Sequence, residues 1–257
     1  MSTLVMTATI VPAAGAGVTL RADPGLRRRD YEDALRFYLG VRSSALSRII
    51  FCENSGADLS TLREIAETAN PLGKQVEFLS FVSDTPEEYG KGHSELDMLD
   101  RAYEAFFGDL ADTEKYWKVT GRLIIENIAE LIETTPADMD FCIDIRSVPH
   151  IGNLLGTNDW ADTRIIAFTS RGYRDYLLGK KSVVGTPDGV SYTVELALFP
   201  DYIEAQGRDP RFYPRFRVQP VMHGVGAESG KDYNDLPSRA KGYLRRVSRR
   251  YAPALWL

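Results

Sequence analysis

Cysteine and histidine are scarce in this sequence. Among 257 residues there are two cysteines, Cys52 and Cys142. Each sits inside an apolar run, and their number and spacing offer neither a disulfide framework nor a zinc site. They read as buried thiols. The three histidines, His93, His150 and His223, form no H-x-x-x-H or H-E-x-x-H pattern, which sets aside a histidine-built metal centre. Long hydrophobic runs are missing too: no window reaches the roughly 18 uninterrupted apolar residues of a spanning helix. The start, "MSTLVMTATIVP", lacks the basic n-region and apolar stretch of a secretory signal, so a cytoplasmic location is expected. No G-x-S-x-G elbow or Walker spacing is present, and nothing marks a cysteine nucleophile. Positive charge is not in excess. The net charge of −5 argues against nucleic acid as a partner, because such domains are usually basic.

What is present is ordinary globular material, 44% hydrophobic and 26% charged. The length can bury one large core, so one domain over 1–236 is expected, with a basic C-terminal helix and tail over 237–257. Apolar runs at 4–11, 48–53 and 76–82 alternate with segments of helical spacing at 27–40 and 58–70, with Asp58 as an N-cap. That alternation predicts β-α-β units and an α/β fold with a mainly parallel sheet. Further on, Gly90 and Gly92 break the chain. Ser94 and Asp97 form an S-x-x-D capping pattern, and Leu96, Leu99, Tyr103 and Phe106 line one helix face. Residues 139–146 and 163–170 read as two more strands, 192–205 as a helix, and 207–237 as a long ordered loop. There is no internal repeat and no low-complexity segment.

Three stretches could carry chemistry. "CENSGAD" (52–58) follows a strand and precedes a helix, which places Glu53, Asn54 and Ser55 at the carboxyl edge of the sheet, where open α/β sheets bind ligands. The plain alternative is a loop whose polar groups cap the next helix. "YGKGHSE" (89–95) sets a two-glycine turn with Lys91 and Gly92 before a helix start. Free N–H groups and the helix dipole favour a phosphate there, although two-glycine turns are common. "KVTGR" (118–122) carries Lys118 and Arg122 on either side of a turn that could equally be solvated. "DIR" (144–146) and "DTR" (162–164) each set an Asp two residues from an Arg, on one face of a strand, as a surface ion pair would.

The order of these pieces says more than any one of them. "RADPGLRRRDYEDALRFYL", "RIIFCENSGADLSTL", "EYGKGHSELDMLDRAY", "WKVTGRLIIENI", "DFCIDIR", "WADTRIIAF", "YTVELALF" and "HGVGAESGKDY" together resemble small microbial and viral GT-A-like glycosyltransferases of surface-polysaccharide or glycan synthesis. The resemblance runs from about residue 5 to the C-terminus, and its most specific pieces are ENSG-x-DL, GKG-x-x-E and K-x-TGR. It implies a GT-A-like, Rossmann-like sheet. It also implies transfer of a sugar from a nucleotide-diphosphate sugar, UDP being the commonest carrier in the fold class, to a glycan or lipid-linked acceptor. The common GT-A layout places Asp-x-Asp, with Mn2+ or Mg2+, where this chain has Thr120-Gly121-Arg122. A diphosphate leaving group needs positive charge nearby, and here Lys91, Lys118 and Arg122 are expected to supply it. A Mn2+ or Mg2+ ion held through Asp144 or Asp162 is the alternative. By the same resemblance Thr7, Ala8 and Arg21 receive the base and ribose, with Glu53, Asn54 and Ser55 extending that edge. Glu195 is the expected base if the enzyme inverts configuration, with Asp162 and Asp144 as competitors.

The end of the chain has its own pattern. Arg245, Arg246, Arg249 and Arg250 recur at helical spacing among Tyr243, Leu244, Val247 and Tyr251, before Leu255, Trp256 and Leu257. Such a helix suits an anionic membrane surface, at the inner face of the cell membrane, or a packed helix with solvated arginines. Two other functions compete with sugar transfer: a nucleotidyltransferase acting on sugar phosphates, and a non-catalytic polysaccharide-assembly scaffold. The first requires metal-binding acids in the first half, which are not evident.

Overall fold

Ile and Phe are the commonest residues of the strands, and three helices begin where a side chain accepts one of the first free N–H groups. The computed structural model of the chain describes residues 1–12, 20–108, 114–147, 159–184, 193–226, 230 and 232–252. His150, Tyr192, Leu255, Trp256 and Leu257 lie outside these residues. In chain order the elements are β1 (Ser2–Ala8), α1 (Pro24–Gly40), β2 (Leu46–Glu53), α2 (Ser60–Thr68), β3 (Gln75–Ser80), α3 (Gly90–Ala102), β4 (Lys115–Thr120) and β5 (Ile124–Ile125). There follow α4 (Ile128–Thr134), β6 (Phe141–Arg146), β7 (Trp160–Phe168), α5 (Ser170–Tyr176), α6 (Lys181–Val184), α7 (Val194–Ala197), α8 (Phe199–Arg208), β8 (Phe212–Tyr213), β9 (Met222–His223) and α9 (Leu236–Tyr251). Asp23 caps α1 by accepting from the Leu26 N–H, and Asp235 caps α9 by accepting from the Ser238 N–H, both at 2.7 Å. A proline in the first turn supports each start.

The central sheet has seven strands in the order β3-β2-β1-β4-β7-β6-β8, and β7 alone runs antiparallel to its neighbours. This is the expected Rossmann-like α/β sheet, mainly parallel and flanked by helices. Side chains alternate across it. Leu4, Met6 and Ala8 join Trp117 and Val119 under α1, α2 and α4. Val5, Ile50, Cys52 and Tyr116 join a second core with α3, α5 and α8. Both cysteines are buried and unpaired, as their apolar settings predicted, and burial raises the Cys52 thiol to about 12.

Register decides which residues share the carboxyl edge. Thr7 lies level with Cys52 and Thr120, Ala8 with Glu53, and Glu53 with Ser80. Because β7 is reversed, its opening residues reach the same edge as the end of β6, and Asp162 sits opposite Asp144. Tyr38 of α1 fixes the turn after β4: its hydroxyl donates to the Leu123 carbonyl at 2.8 Å and accepts from the Ile125 N–H at 2.9 Å.

Several local expectations change. Helix α3 starts at Gly90, whose φ of 75° only glycine adopts readily. Lys91, Gly92, Ser94 and Asp97 therefore all lie within the helix, and the S-x-x-D pattern is not its cap. The segment expected to be one helix over 192–205 is two, α7 and α8, and the expected loop over 207–237 holds the short strands β8 and β9. Asp58 accepts from the backbone N–H of Ser60 at 2.9 Å, two residues before the helix proper.

Candidate functional site

The loop after β2 is built around a buried carboxylate. Glu53 is fully buried and accepts from the N–H groups of Ile10 (3.0 Å), Ser55 (2.9 Å) and Ala57 (3.2 Å), and from the Ser55 hydroxyl. These bonds hold its loop in shape and leave it no freedom to meet a nucleotide. Asn54 joins four segments. Its Nδ2 donates to Ser94 Oγ at 2.8 Å and its Oδ1 accepts from Thr9 Oγ1 at 2.6 Å. Its N–H reaches the Ala8 carbonyl, and its own carbonyl accepts from the Ser83 N–H. Ser55 Oγ accepts from the Val11 N–H at 3.0 Å. The ENSG stretch is thus the frame of the edge.

On the α3 side, a chain of polar contacts crosses three strands. Thr7 Oγ1 donates to Glu95 at 2.9 Å, and Lys118 Nζ lies 2.7 Å from the same Glu95 oxygen. Lys118 also donates to the Thr163 carbonyl at 2.6 Å, and Thr163 Oγ1 donates to Glu195 at 2.9 Å. Lys118 is only 1% exposed, so its charge answers Glu95 and does not face a ligand. Glu195, in the first turn of α7, is half-buried. Burial pushes its carboxyl above the usual range, and the charges of Glu95 and Asp162 add to that, against the Thr163 hydrogen bond.

The other expected cations separate. Arg122 lies on the α1 side, donating to the Val225 carbonyl. Burial lowers its pKa, and Arg27 adds repulsion while Tyr31 opposes it. Lys91 belongs to the first turn of α3, across the sheet. The pocket expected from Lys91, Lys118 and Arg122 is therefore not formed by those three residues. Gly121 explains the TGR sequence in another way. Its N–H donates to the Thr7 carbonyl at 2.9 Å, and a Cβ there would stand 2.7 Å from that oxygen. Gly92 is likewise a packing glycine, since a Cβ would meet Val194 and Val184 within 2.8 Å. Arg21 is held by Asp30 in a two-point pair (2.9 and 2.6 Å) that raises its pKa.

Beyond β4 the edge turns strongly basic. Asp162 is 3% exposed at its side chain and accepts from Arg146 at 2.9 Å and from both arms of Arg164. Burial alone would raise this carboxyl, but Arg164 and Arg146 outweigh it and hold it far below the usual range. Asp144 accepts from the Phe216 N–H at 3.0 Å and from Arg249 of α9. Arg249 also reaches Gln219 (3.0 Å) and the Phe216 carbonyl (2.5 Å). Trp160 lies against Arg146 (4.2 Å, guanidinium carbon to ring centroid) and Arg164 (5.6 Å), and Tyr233 lies 4.7 Å from Arg164. The strand pairings differ from the expected local ones: Asp162 does pair with Arg164, but Asp144 pairs with Arg249 and leaves Arg146 to Asp162.

This donor set does not suit a divalent cation. Asp144 and Asp162 are both covered by guanidinium groups. Among the described residues no three His, Cys, Asp or Glu side chains group closely enough to hold a metal ion. The cavity of about 670 Å3 lined by Arg171, Asp201, Arg208 and Arg211 lies at the amino-terminal end of β6, away from this edge.

No family model matches the chain, and no curated protein matches it. Solved structures do resemble it in part. One is the glycosyltransferase GlyE of Streptococcus pneumoniae TIGR4, at 10% identity and a TM-score of 0.47, covering 82% of this chain. This chain spans 44% of GlyE's length. Another is HddC of Yersinia pseudotuberculosis (15% identity, TM-score 0.44, 94% of this chain and 98% of that one). A third is a cytidylyltransferase of Leptospira borgpetersenii (10% identity, TM-score 0.40, 82% and 74%). At these levels the likenesses assign no activity or substrate to this chain.

Sequence reasoning gave Glu95 and Thr163 no role at the site, read Ser94 as part of a helix cap, and read Arg245 and Arg249 as arginines of a membrane-facing or solvated helix. Glu95 was legible only as the last residue of GKG-x-x-E, and its partner Lys118 looks like a turn residue until the register places it inside β4.

Proposed function

We propose that this chain is a glycosyltransferase that moves a sugar from a nucleotide-diphosphate sugar, a UDP-sugar by preference, to a glycan or lipid-linked acceptor. The observation that carries the reading is Glu195: a half-buried carboxylate with a raised pKa, bonded to Thr163, at the carboxyl edge of a mainly parallel sheet. In an inverting transfer the acceptor hydroxyl oxygen attacks the anomeric carbon. The bond from that carbon to the diphosphate breaks, its electron pair leaves on the diphosphate, and the hydroxyl proton passes to Glu195. Thr163 orients the carboxylate. Of the competing acids, Asp162 is held well below the usual carboxylate range by Arg164 and Arg146, and Asp144 is bound to Arg249.

Calorimetry with UDP, GDP, TDP, CMP and the corresponding nucleoside triphosphates, each with and without Mn2+, tests the donor assignment. Binding of a nucleoside diphosphate with or without metal is the expected result. Binding of none would leave the scaffold reading, and a preference for nucleoside triphosphates would move the assignment to a nucleotidyltransferase.

A lipid surface is the proposed second partner. Along α9 the side chains of Tyr243, Leu244, Val247 and Tyr251 point outward, 64%, 61%, 37% and 73% exposed, beside exposed Arg246 and Arg250 and with no acidic residue on the helix. Arg245 and Arg249 face the body, so only two of the four arginines can meet anionic lipid. No helix among the described residues is long and apolar enough to cross a membrane. Replacing both Arg246 and Arg250 by Gln is expected to lower partitioning onto anionic vesicles roughly 30-fold, from about 1 kcal/mol per basic group. Unchanged co-sedimentation would remove the lipid surface from this reading.

A further inference from the structure

Lys118 holds a place in the sheet that suits an apolar residue. On β4 it lies level with Val5 of β1 and Ile166 of β7, and its side chain is 1% exposed. Val5, Ile166 and Tyr116 belong to the apolar core under α3, α5 and α8. An ion pair buried in such surroundings gains little or nothing over a well-packed apolar pair. Packing alone therefore does not account for a lysine here.

What Lys118 touches offers a reason. Its Nζ lies 2.7 Å from Glu95 Oε1 and donates to the Thr163 carbonyl at 2.6 Å, and the Thr163 hydroxyl donates to Glu195 at 2.9 Å. Thr7 donates to the same Glu95 oxygen at 2.9 Å, so Glu95 is pinned from β1 and β4 together. One ammonium thus fixes two acids, Glu95 directly and Glu195 through Thr163. Their surroundings differ. Glu95 has a cation against it, whereas Glu195 has a neutral hydroxyl and feels the negative charges of Glu95 and Asp162. Acids set apart in this way divide into one that stays ionised and one that can take up a proton. The other charged groups around α7 have partners of their own. Asp162 pairs with Arg146 and Arg164, Lys181 of α6 with Asp97, and Asp201 of α8 with Lys180. On α3, His93 answers to Lys181, Asp97 and Asp100, and Lys91 lies one turn before Glu95.

We infer that Lys118 is a positioning residue for Glu195, with Glu95 as its counterpart: the pair holds Thr163 against Glu195 and decides which of the two glutamates carries the proton. The role rests on the reading of Glu195 as the base, but the charge pairing shows itself without turnover.

Carbon-13 carboxyl NMR of the full chain, labelled at glutamate, tests this; the Glu195 signal is assigned by its loss in Glu195→Gln. Glu95→Gln removes a negative neighbour and leaves Lys118 with only the Thr163 carbonyl, so the Glu195 titration should move down by about one pH unit. Lys118→Met leaves Glu95 uncompensated and the Thr163 carbonyl without its donor. The same titration should then move up by about one pH unit. The double variant, which removes both charges, should fall between the two. Glu95→Gln keeps the size of the side chain and an acceptor oxygen for Thr7, so its result decides alone if Lys118→Met fails to fold. In each folded variant the acid limb of the transfer rate should follow the NMR titration. A Glu195 titration unmoved in Glu95→Gln, or moved the same way in both single variants, would overturn the inference. Opposite movements in a chain that transfers no sugar would keep the pairing and sink the base reading above.

Discussion

Glu195→Gln should lower the rate of sugar transfer by about 10²–10⁴-fold, the usual worth of a positioned general base, while donor affinity stays within about 2-fold. Glutamine preserves the size of the side chain and its acceptor oxygen toward Thr163, but it cannot take a proton. The raised pKa of Glu195 also sets a pH signature. The acid limb of the wild-type rate profile should lie above the ordinary glutamate range of about 4.3, and it should vanish from the residual activity of the variant. Stability gives an independent check. A carboxyl with a raised folded pKa favours folding at pH values below its unfolded pKa, and that contribution is lost as pH rises through the folded value. At neutral pH the desolvated charge is therefore a burden, and the Gln variant should be at least as stable as wild type. Full turnover in Glu195→Gln would dismiss it as the base. A normal rate in Glu195→Gln together with inactivity in Asp162→Asn would move the role to Asp162.

Gly172→Ala should destabilise the fold by about 3 kcal/mol or more, at the upper end of overpacking effects. The first turn of α5 lies directly on the start of β6. Thr169 donates its N–H to the Asp140 carbonyl at 2.8 Å and its hydroxyl to the Asp140 carboxylate at 3.1 Å, while its Oγ1 accepts from the Gly172 N–H at 3.1 Å. A Cβ on residue 172 would overlap the Asp140 carbonyl oxygen and lie 2.6 Å from its carbon. These are backbone atoms of the residue that leads into β6 and cannot swing away as a side chain can. With total stabilities of about 5–15 kcal/mol for typical domains, such a loss should shift the urea midpoint strongly or leave the chain insoluble. Gly207→Ala is the matched control: no atom lies within 4 Å of its added Cβ, and it sits in α8. It should be neutral or stabilising by about 0.5–1 kcal/mol. Equal midpoints for the two variants would refute the close approach at Gly172.

The strands were legible because burial on both faces leaves long apolar runs, as in "RIIFC" and "FCIDI". Strand direction was not legible. The reversed course of β7 follows from how the chain returns after β6, which no local pattern encodes. Two-residue strands such as β5 and β8 carry no period at all. At the site, residue types were easier to read than their tasks. Glu53 stands at the expected edge, yet it accepts three bonds from its own loop and a fourth from Ile10 after β1. Gly92 and Gly121 fit phosphate loops in composition but serve helix and strand packing. Lys118 could be recognised as buried only after the register set it opposite Ile166 and within reach of Glu95. The Asp144 pairing was out of reach for the same reason, because its partner is 105 residues away.

That separation has a consequence for synthesis on the ribosome. At roughly 5–20 residues per second, Asp144 emerges about 5–20 s before Arg249 exists to meet it. Until then Asp144 has at most the Phe216 N–H as a partner, and water must solvate the rest of its charge. The last helix is therefore a latch that closes late: the nascent polypeptide can assemble its sheet early, but the guanidinium grip on that edge comes only afterwards.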